Sequence, residues 1–254
     1  MPCLPVKITN KRWADSLQDG SVFMRSLHEY GSWSSLGRSS QNESHMKEGV
    51  QGDIGEGVVR RVNPKIGDDF FNCLEPDFRK VVKECMYIDQ DRYQYYKVYC
   101  MYGLTYLLDK KCYQKPDERL KDFGDTAVII LKPNEFLNRF IRSVYEKYGD
   151  NVNFRLDEVH YYPFDYYGDL DEFCKYESYA WQNELRMRVA LLDCNKSKID
   201  QDGKCLKQIK QNIDDITINI GDIRDISVQI PIEDLIALKL PNQIKNPIFE
   251  VIEE

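Results

Sequence analysis

The segment 181–189, which reads WQNELRMRV, carries the residues best suited to chemistry. From Leu185 onward apolar and basic residues alternate, which predicts a β-strand with Arg186 and Arg188 on one face. Glu184 stands just before this strand, and a carboxylate at the end of a strand, where clefts form, can stabilise positive charge that develops on a substrate. The alternative is an edge-strand glutamate that faces water and pairs with Arg186 or Arg188. The sequence leaves both interpretations open.

A second candidate cluster lies at 23–30, which reads FMRSLHEY. It follows a predicted early strand and supplies a cation, a hydroxyl, an imidazole and an aromatic ring, on Arg25, Ser26, His28 and Tyr30. Together with the Glu184 carboxylate, these groups could hold a dinucleotide by its phosphate, ribose and nicotinamide. The same carboxylate could stabilise an oxocarbenium-like centre when an N-glycosidic bond breaks.

The composition is that of a globular protein, with 254 residues of which 42% are hydrophobic and 30% charged. This length can bury one large core, and no composition shift marks a boundary, so we expect a single domain over 1–254. With a net charge of −7, the chain lacks the excess of positive charge that proteins binding nucleic-acid phosphates usually carry. Binding to duplex DNA is therefore disfavoured.

Location and metal content are also constrained by the sequence. No apolar run reaches about 18 residues and no signal peptide is visible, so we expect a cytoplasmic protein without a membrane segment. The eight cysteines include no C-x-x-C pair, and the three histidines are not spaced as ligands. We therefore expect reduced cysteines and no metal.

The order of predicted elements indicates an α+β fold, because strands outnumber helices without regular βαβ alternation. We expect mainly antiparallel mixed sheet with a few packed helices. The clearest strand is 126–131 (TAVIIL), and the clearest helix is 134–148, with Phe136, Phe140 and Val144 among the residues of its apolar stripe. Further strands are predicted at 6–8, 21–27, 58–62, 79–87, 95–108, 152–162, 185–192, 213–220 and 226–230, and further helices at 11–18 and 231–238.

Four segments are predicted to lie outside the main strands and helices. These are a charged connector at 110–123, a short acidic helix or turn at 169–176, a polar hairpin or loop at 195–203, and a loosely held tail beyond Pro241. A long loop at 31–57 is poor in large apolar residues, which is typical of a lid over a site. Within it, Asp53 and Glu56 could bind a cation or orient a hydroxyl, or form a solvated turn.

The Gln182-Asn183-Glu184 triplet resembles the Q-x-E element that ADP-ribosyltransferases place late in the chain. These enzymes also use an Arg or His on an early strand, for which Arg25 or His28 is suited. In their middle element they use Ser-Thr or Tyr, and Thr105 or Tyr102 occupies that interval here. The resemblance implies an ADP-ribosyltransferase-like fold with NAD as substrate.

A second resemblance covers more of the chain and is to an uncharacterised family of bacterial and phage proteins. It is carried by F-x-x-S-L, G-D-x-x-E-G, a mid-chain cysteine, F-G-D and W-x-x-E-x-R. Here these motifs fall on Phe23, Ser26 and Leu27; Gly52, Asp53, Glu56 and Gly57; Cys100; Phe123, Gly124 and Asp125; and Trp181, Glu184 and Arg186. Members resemble proteins found near phage-defence and mobile-element genes.

The two resemblances converge on Glu184. The first implies an NAD-dependent ADP-ribosyltransferase-like activity, and the second implies a role in bacterial toxin, phage-defence or counter-defence systems. Arg25 or His28, with Ser26, would hold the NAD ribose or phosphate, and Tyr30 or Trp181 would stack on nicotinamide or adenine. Glu184 would stabilise the transition state, and Gln182 would contact a protein or RNA acceptor. The alternative is a non-enzymatic phage or host factor that sequesters a protein partner or nucleotide through its Tyr-rich surface. A nuclease ranks third, since the metal carboxylates it would need are not evident.

Overall fold

The computed structural model describes residues 2–27, 58–63, 85–88, 94–199, 205–209 and 214–245. In this part of the chain, ten strands form one large sheet, and two smaller sheets have three and two strands. All but one of the strand pairings are antiparallel. The prediction of mainly antiparallel sheet with few helices is confirmed. His28, Tyr30 and the segment 31–57 lie outside the described residues.

The described elements are numbered here in chain order. The strands are β1 (Cys3–Thr9), β2 (Ser21–Ser26), β3 (Val58–Val62), β4 (Cys85–Ile88), β5 (Lys97–Leu107), β6 (Cys112–Tyr113), β7 (Thr126–Ile130), β8 (Val152–Glu158), β9 (His160–Tyr162), β10 (Gly168–Asp169), β11 (Cys174–Tyr176), β12 (Glu184–Ile199), β13 (Cys205–Ile209), β14 (Ile216–Asn219) and β15 (Ser227–Pro231). The helices are α1 (Lys11–Gln18), α2 (Pro133–Tyr148), α3 (Ile232–Ile236) and α4 (Asn242–Lys245), with 3₁₀-helices at Glu118–Phe123 and Glu177–Gln182.

The large sheet forks along β5. One edge of β5 pairs with β12, while the other edge pairs with β1 near Tyr102 and with β2 near Val98. Lys7 lies at the fork, where its Nζ donates to the Cys100 carbonyl at 2.8 Å and stands 4.4 Å from the centre of the Tyr99 ring. Burial lowers the pKa of Lys7. The ammonium thus satisfies a carbonyl at the point where the two branches of the sheet separate.

The sheet is covered on both faces, as β7 shows most clearly. Val128 and Ile130 of β7 point into one core, which α2 covers, while Ala127 and Ile129 point into a second core against α3 and α4. Successive strand residues point to opposite faces, so a strand buried on both must be apolar throughout. This is why the TAVIIL run could be predicted as a strand from the sequence.

Helix α2 closes the first core, as its apolar spacing predicted. Phe136, Phe140 and Val144 are buried at intervals of four residues, which places them on one face. The helix has proline in its first turn and ends at Gly149, whose φ of 60° lies in the left-handed region that glycine enters at little cost.

Helix α1 also has the predicted bounds, and its first turn is capped by a distant residue rather than by the residue that precedes it. Asn10 precedes the helix without making a side-chain capping hydrogen bond. Instead, the backbone N–H of Lys11 donates to Asp125 Oδ1 at 2.8 Å. The cap therefore comes from a residue more than a hundred positions away, which local pattern cannot reveal.

Several connecting segments contain strands. The segment 169–176, predicted to be a short acidic helix or turn, turns at Glu172 and Phe173, and its ends pair with β3 and β9 as β10 and β11. For the segment 195–203 the hairpin alternative is confirmed as far as Ile199, since β12 continues past a register shift to pair with β13 in antiparallel fashion. The connector at 110–123 holds β6 and a 3₁₀-helix, and the strand predicted at 152–162 breaks at Val159 into β8 and β9.

The chain just beyond Pro241 is also held more firmly than predicted. Ile244 in α4 is only 1% exposed and packs in the second core, and its carbonyl accepts a hydrogen bond from the Tyr113 hydroxyl at 2.9 Å. No helix in the described part of the chain is long and apolar enough to cross a membrane.

We expect Phe140→Ala to lower the free energy of unfolding by about 3–5 kcal/mol, because it leaves a cavity beneath α2. Urea unfolding monitored by circular dichroism measures the change. Tyr145→Ala on the same helix is the control, since Tyr145 is 45% exposed. Equal stability losses for the two variants would contradict the assigned packing.

Candidate functional site

The Glu184 side chain lies at the start of β12, on the face of the sheet that carries the second core. Glu184, Arg186 and Arg188 stand opposite Tyr102, Cys100 and Val98 of β5, so the three charged side chains share one face. Strand β12 is flanked by β5 on one edge and β8 on the other. Glu184 is therefore not an edge residue facing water, and only 6% of it is exposed.

The Glu184 carboxylate is held by two cations. Arg186 Nε lies 2.7 Å from Glu184 Oε1, and Lys175 Nζ lies 2.7 Å from Oε2. Lys175 also donates to Gln182 Oε1 at 2.9 Å, and the Glu184 backbone N–H donates to the Tyr161 hydroxyl at 2.9 Å. Gln182 and Glu184, which the sequence nominated as a pair, thus share one lysine.

The charges continue beyond Glu184. Arg186 also donates to the backbone carbonyl of Glu172, and Arg188 Nε lies 3.1 Å from Glu172 Oε1. Arg188 further donates to Asn153 Oδ1. We call Lys175, Glu184, Arg186, Glu172 and Arg188 the buried charge network. All five are less than a tenth exposed, which charged residues seldom are unless they are paired.

The network sets the protonation of Glu184 and its neighbours. Burial alone would raise the pKa of Glu184, but the Arg186 and Lys175 cations outweigh it and hold the pKa well below its usual range. Burial and the Glu184 charge raise the pKa of Cys100 to about 12 and that of Tyr161 to about 12. Glu184 is thus an ionised carboxylate whose charge is already balanced, and Cys100 remains a thiol that hydrogen-bonds to it.

Of the early-strand residues, Arg25 and Ser26 are not brought to Glu184. Arg25 lies on the opposite edge of β5 from β12, across from Val98, with its Nε 3.6 Å from Asp215 Oδ2. The register puts the Cα atoms of Arg25 and Glu184 roughly 16 Å apart, two strand spacings across and four residues along. Ser26 is buried opposite Lys97.

Trp181 lies beside the network on the wall of an open groove. Its ring stacks on Phe123 with 5.7 Å between centroids, and the Arg119 guanidinium stands 4.6 Å from its centre. The groove has a volume of about 480 Å³ and is lined by Tyr102, Gln114, Lys115, Pro116, Asp117, Glu118, Ala180, Trp181 and Asn183. The sequence indicated Trp181 but not the facing segment 114–118.

Asn183 forms the turn between the second 3₁₀-helix and β12. Its φ of 38° lies in the left-handed region, and its carbonyl accepts from the Gly103 N–H at 2.8 Å. A Cβ on Gly103 would lie 3.2 Å from that carbonyl oxygen, so glycine allows the close approach. The Asn183 amide donates to the Gly103 carbonyl and, at 3.0 Å, to Thr105 Oγ1. Of the middle-element candidates, Thr105 therefore supports Asn183 and Tyr102 stands opposite Glu184.

The sequence also missed Lys175 and Glu172, because an acidic helix or turn was expected there. The alternation of Arg186 and Arg188 with apolar strand residues was a signal for these two partners. Arginines buried in a strand need anions, and those anions must come from neighbouring elements. In the described part of the chain, no group of three His, Cys, Asp or Glu side chains could hold a metal ion.

Comparison with known proteins gives no relative. No protein-family model, curated protein or solved structure matches the chain. The two resemblances noted in the sequence stay predictions.

We expect Glu184→Gln to lower the free energy of unfolding by about 3–5 kcal/mol at neutral pH, because it leaves Arg186 and Lys175 buried without their anion. The folded-state pKa of Glu184 is depressed, so its contribution is present above the ordinary carboxyl pKa and is lost as the pH falls below it. The stability gap between wild type and variant should therefore shrink as the pH falls below about 4.

Urea unfolding from neutral pH down to about pH 3 measures this gap. Glu135→Gln is the matched control, because Glu135 is an exposed partner of Arg139 and its loss should cost less than about 1 kcal/mol. A Glu184→Gln variant as stable as wild type at neutral pH would show that the carboxylate is not held as described.

Proposed function

We propose that this protein is a non-enzymatic binding protein that captures an arginine-rich segment of a protein partner. The proposal is carried by one observation, a cluster of aromatic rings that already surrounds a guanidinium. We call the side chains of Tyr162, Phe164, Tyr166, Tyr167 and Tyr176 the aromatic shell. Of the two binding roles expected from the sequence, sequestration of a protein partner is the one that this surface supports.

The inner side of the aromatic shell holds Arg61. The Arg61 guanidinium carbon lies 5.3 Å from the centre of the Phe164 ring and 5.1 Å from those of Tyr167 and Tyr176. Arg61 Nη1 also donates to the Phe164 carbonyl at 2.6 Å, and the residue is fully buried. These distances are within the range of cation–π attraction. The shell thus has the spacing and electronic character to bind guanidinium groups.

A tight turn between β9 and β10 presents the shell. Pro163 follows β9 and cannot extend its hydrogen bonding, and the Tyr166 N–H donates to the Pro163 carbonyl at 3.0 Å. Gly168 has a φ of 144°, and a Cβ there would lie 2.8 Å from the Tyr166 hydroxyl. The missing Cβ leaves room for the Tyr166 hydroxyl. This hydroxyl donates to the Asp169 carbonyl at 3.1 Å, which fixes the ring.

The outer side of the shell is open to solvent and lies among acidic residues. Phe164 is 71% exposed and Tyr166 is 37% exposed, although both rings contact other members of the shell. Asp165 lies between these two rings in sequence, and Glu177 follows Tyr176 of the shell. Both carboxylates are exposed, and no described cation pairs with either. Exposed rings flanked by carboxylates favour a basic partner, and arginine above lysine because its flat guanidinium can stack.

We expect a labelled oligo-arginine peptide to bind the protein more tightly than an oligo-lysine peptide of the same length. Phe164→Ala/Tyr166→Ala should weaken arginine binding by about tenfold, because two ring contacts of about 0.5–1 kcal/mol each are lost without any change of charge. Fluorescence anisotropy at physiological ionic strength measures both affinities.

The matched control is Leu108→Ala/Leu156→Ala, which removes two exposed apolar side chains elsewhere on the surface. This control should bind as wild type does. If the ring variant and the control bind the peptide equally, binding is only electrostatic and the proposed surface is wrong.

ADP-ribosyl transfer stays a prediction. Its geometry would require Glu184 to exchange Arg186 and Lys175 for a substrate cation. If Arg25 rather than His28 served as the first element, Arg25 would also have to act together with a carboxylate roughly 16 Å away. These requirements are why a binding function is preferred here.

The enzyme hypothesis is tested by incubating the protein with labelled NAD and a cell lysate or RNA. Transfer of label or hydrolysis of NAD would support a transferase if Glu158→Gln retains it and Glu184→Gln abolishes it while circular dichroism shows that the Glu184 variant stays folded. Glu158 is an exposed glutamate near the end of β8 and serves as the matched control. If wild type neither transfers label nor hydrolyses NAD, the transferase hypothesis fails.

A further inference from the structure

We propose that the groove beside Trp181 is a binding site for a neutral, flat heterocycle of the nucleobase kind. It is separate from the aromatic shell and independent of the protein-binding function proposed above. Its volume of about 480 Å³ is in the range of small-molecule sites. Its walls combine ring surfaces with amides and paired charges.

One wall carries a hydrogen-bond donor without a partner. Trp181 Nε1 is shielded from solvent and has no hydrogen-bond partner in the described structure. A buried indole N–H usually finds an acceptor, and leaving it without one costs about 1–3 kcal/mol. An acceptor atom on a ring bound in the groove would satisfy it, provided that binding uncovers the edge of the indole.

The same wall offers an acceptor. Both amide hydrogens of Asn183 are used within the fold, on the Gly103 carbonyl and Thr105 Oγ1. Its Oδ1 is left to accept from a ligand. A donor on Trp181 and an acceptor on Asn183 suit a ring whose edge carries both kinds of group, as the Watson–Crick edge of every nucleobase does.

The two carboxylates of the groove are already paired, which disfavours a cationic ligand, and the exposed Lys115 is the remaining charged side chain of its lining. Asp117 is bound by Arg119 through two contacts of 2.9 Å, and Glu118 lies 3.9 Å from Lys121 Nζ. Burial and the nearby Asp117 raise the pKa of Tyr102 to about 12, so this floor residue is a neutral phenol. A neutral ring can therefore cover the groove without leaving a carboxylate unpaired.

The experiment is a calorimetric titration of the protein with adenosine, guanosine, cytidine and uridine separately. We expect at least one nucleoside to bind. Trp181→Phe keeps a flat ring but removes the N–H, and we expect it to weaken that binding about tenfold. Gln114→Ala, on the opposite and exposed wall, should weaken it severalfold without a risk to folding.

Two controls separate this site from other surfaces. Trp13→Phe changes an exposed tryptophan on α1, and Phe164→Ala changes the aromatic shell, so both should bind the nucleoside as wild type does. The proposal is overturned if no nucleoside binds wild type, or if Trp181→Phe and Gln114→Ala both bind with unchanged affinity.

Discussion

The burial of Glu184 between Arg186 and Lys175 is the interaction on which the rest of this molecule depends. Removing a carboxylate and its cations from water costs several kcal/mol for each ion, and only close pairing repays it. Arg186 comes from the same strand, but Lys175 and Glu172 come from the segment before it. The charges can be satisfied only if that segment folds back onto the sheet, so the network fixes where 172–182 lies.

Both proposed binding surfaces draw residues from this same stretch of chain. The aromatic shell takes Tyr176 from β11, one residue after Lys175, and the groove takes Trp181 from the 3₁₀-helix that follows. Each surface therefore rests on a backbone that the network holds against β5 and β12. Ligand-binding residues need such support, because a loosely held ring or amide loses the geometry that gives it affinity.

The pairing also explains why the Glu184 carboxylate is better suited to stabilising the fold than to catalysis. A carboxylate that stabilises a cationic transition state must exchange its partners for the substrate, and here two cations already lie at 2.7 Å. Its depressed pKa has the same origin, since the neighbouring charges outweigh the effect of burial. A carboxyl group with a strongly shifted pKa thus marks a structural centre here, and the two proposed binding surfaces draw on residues close to it in the chain.

The sequence by itself determined the elements whose residues pack according to their own period. The apolar run of β7 and the four-residue stripe of α2 are set by local alternation, so they were predicted with nearly correct bounds. Local pattern also placed Arg186 and Arg188 on one face of a strand. The tertiary structure alone decided their partners, because contacts such as Lys175 with Glu184 or Asp125 with the start of α1 depend on how distant segments meet. The groove likewise arises where 114–118 passes Trp181, and neither segment carries a local signal of the other.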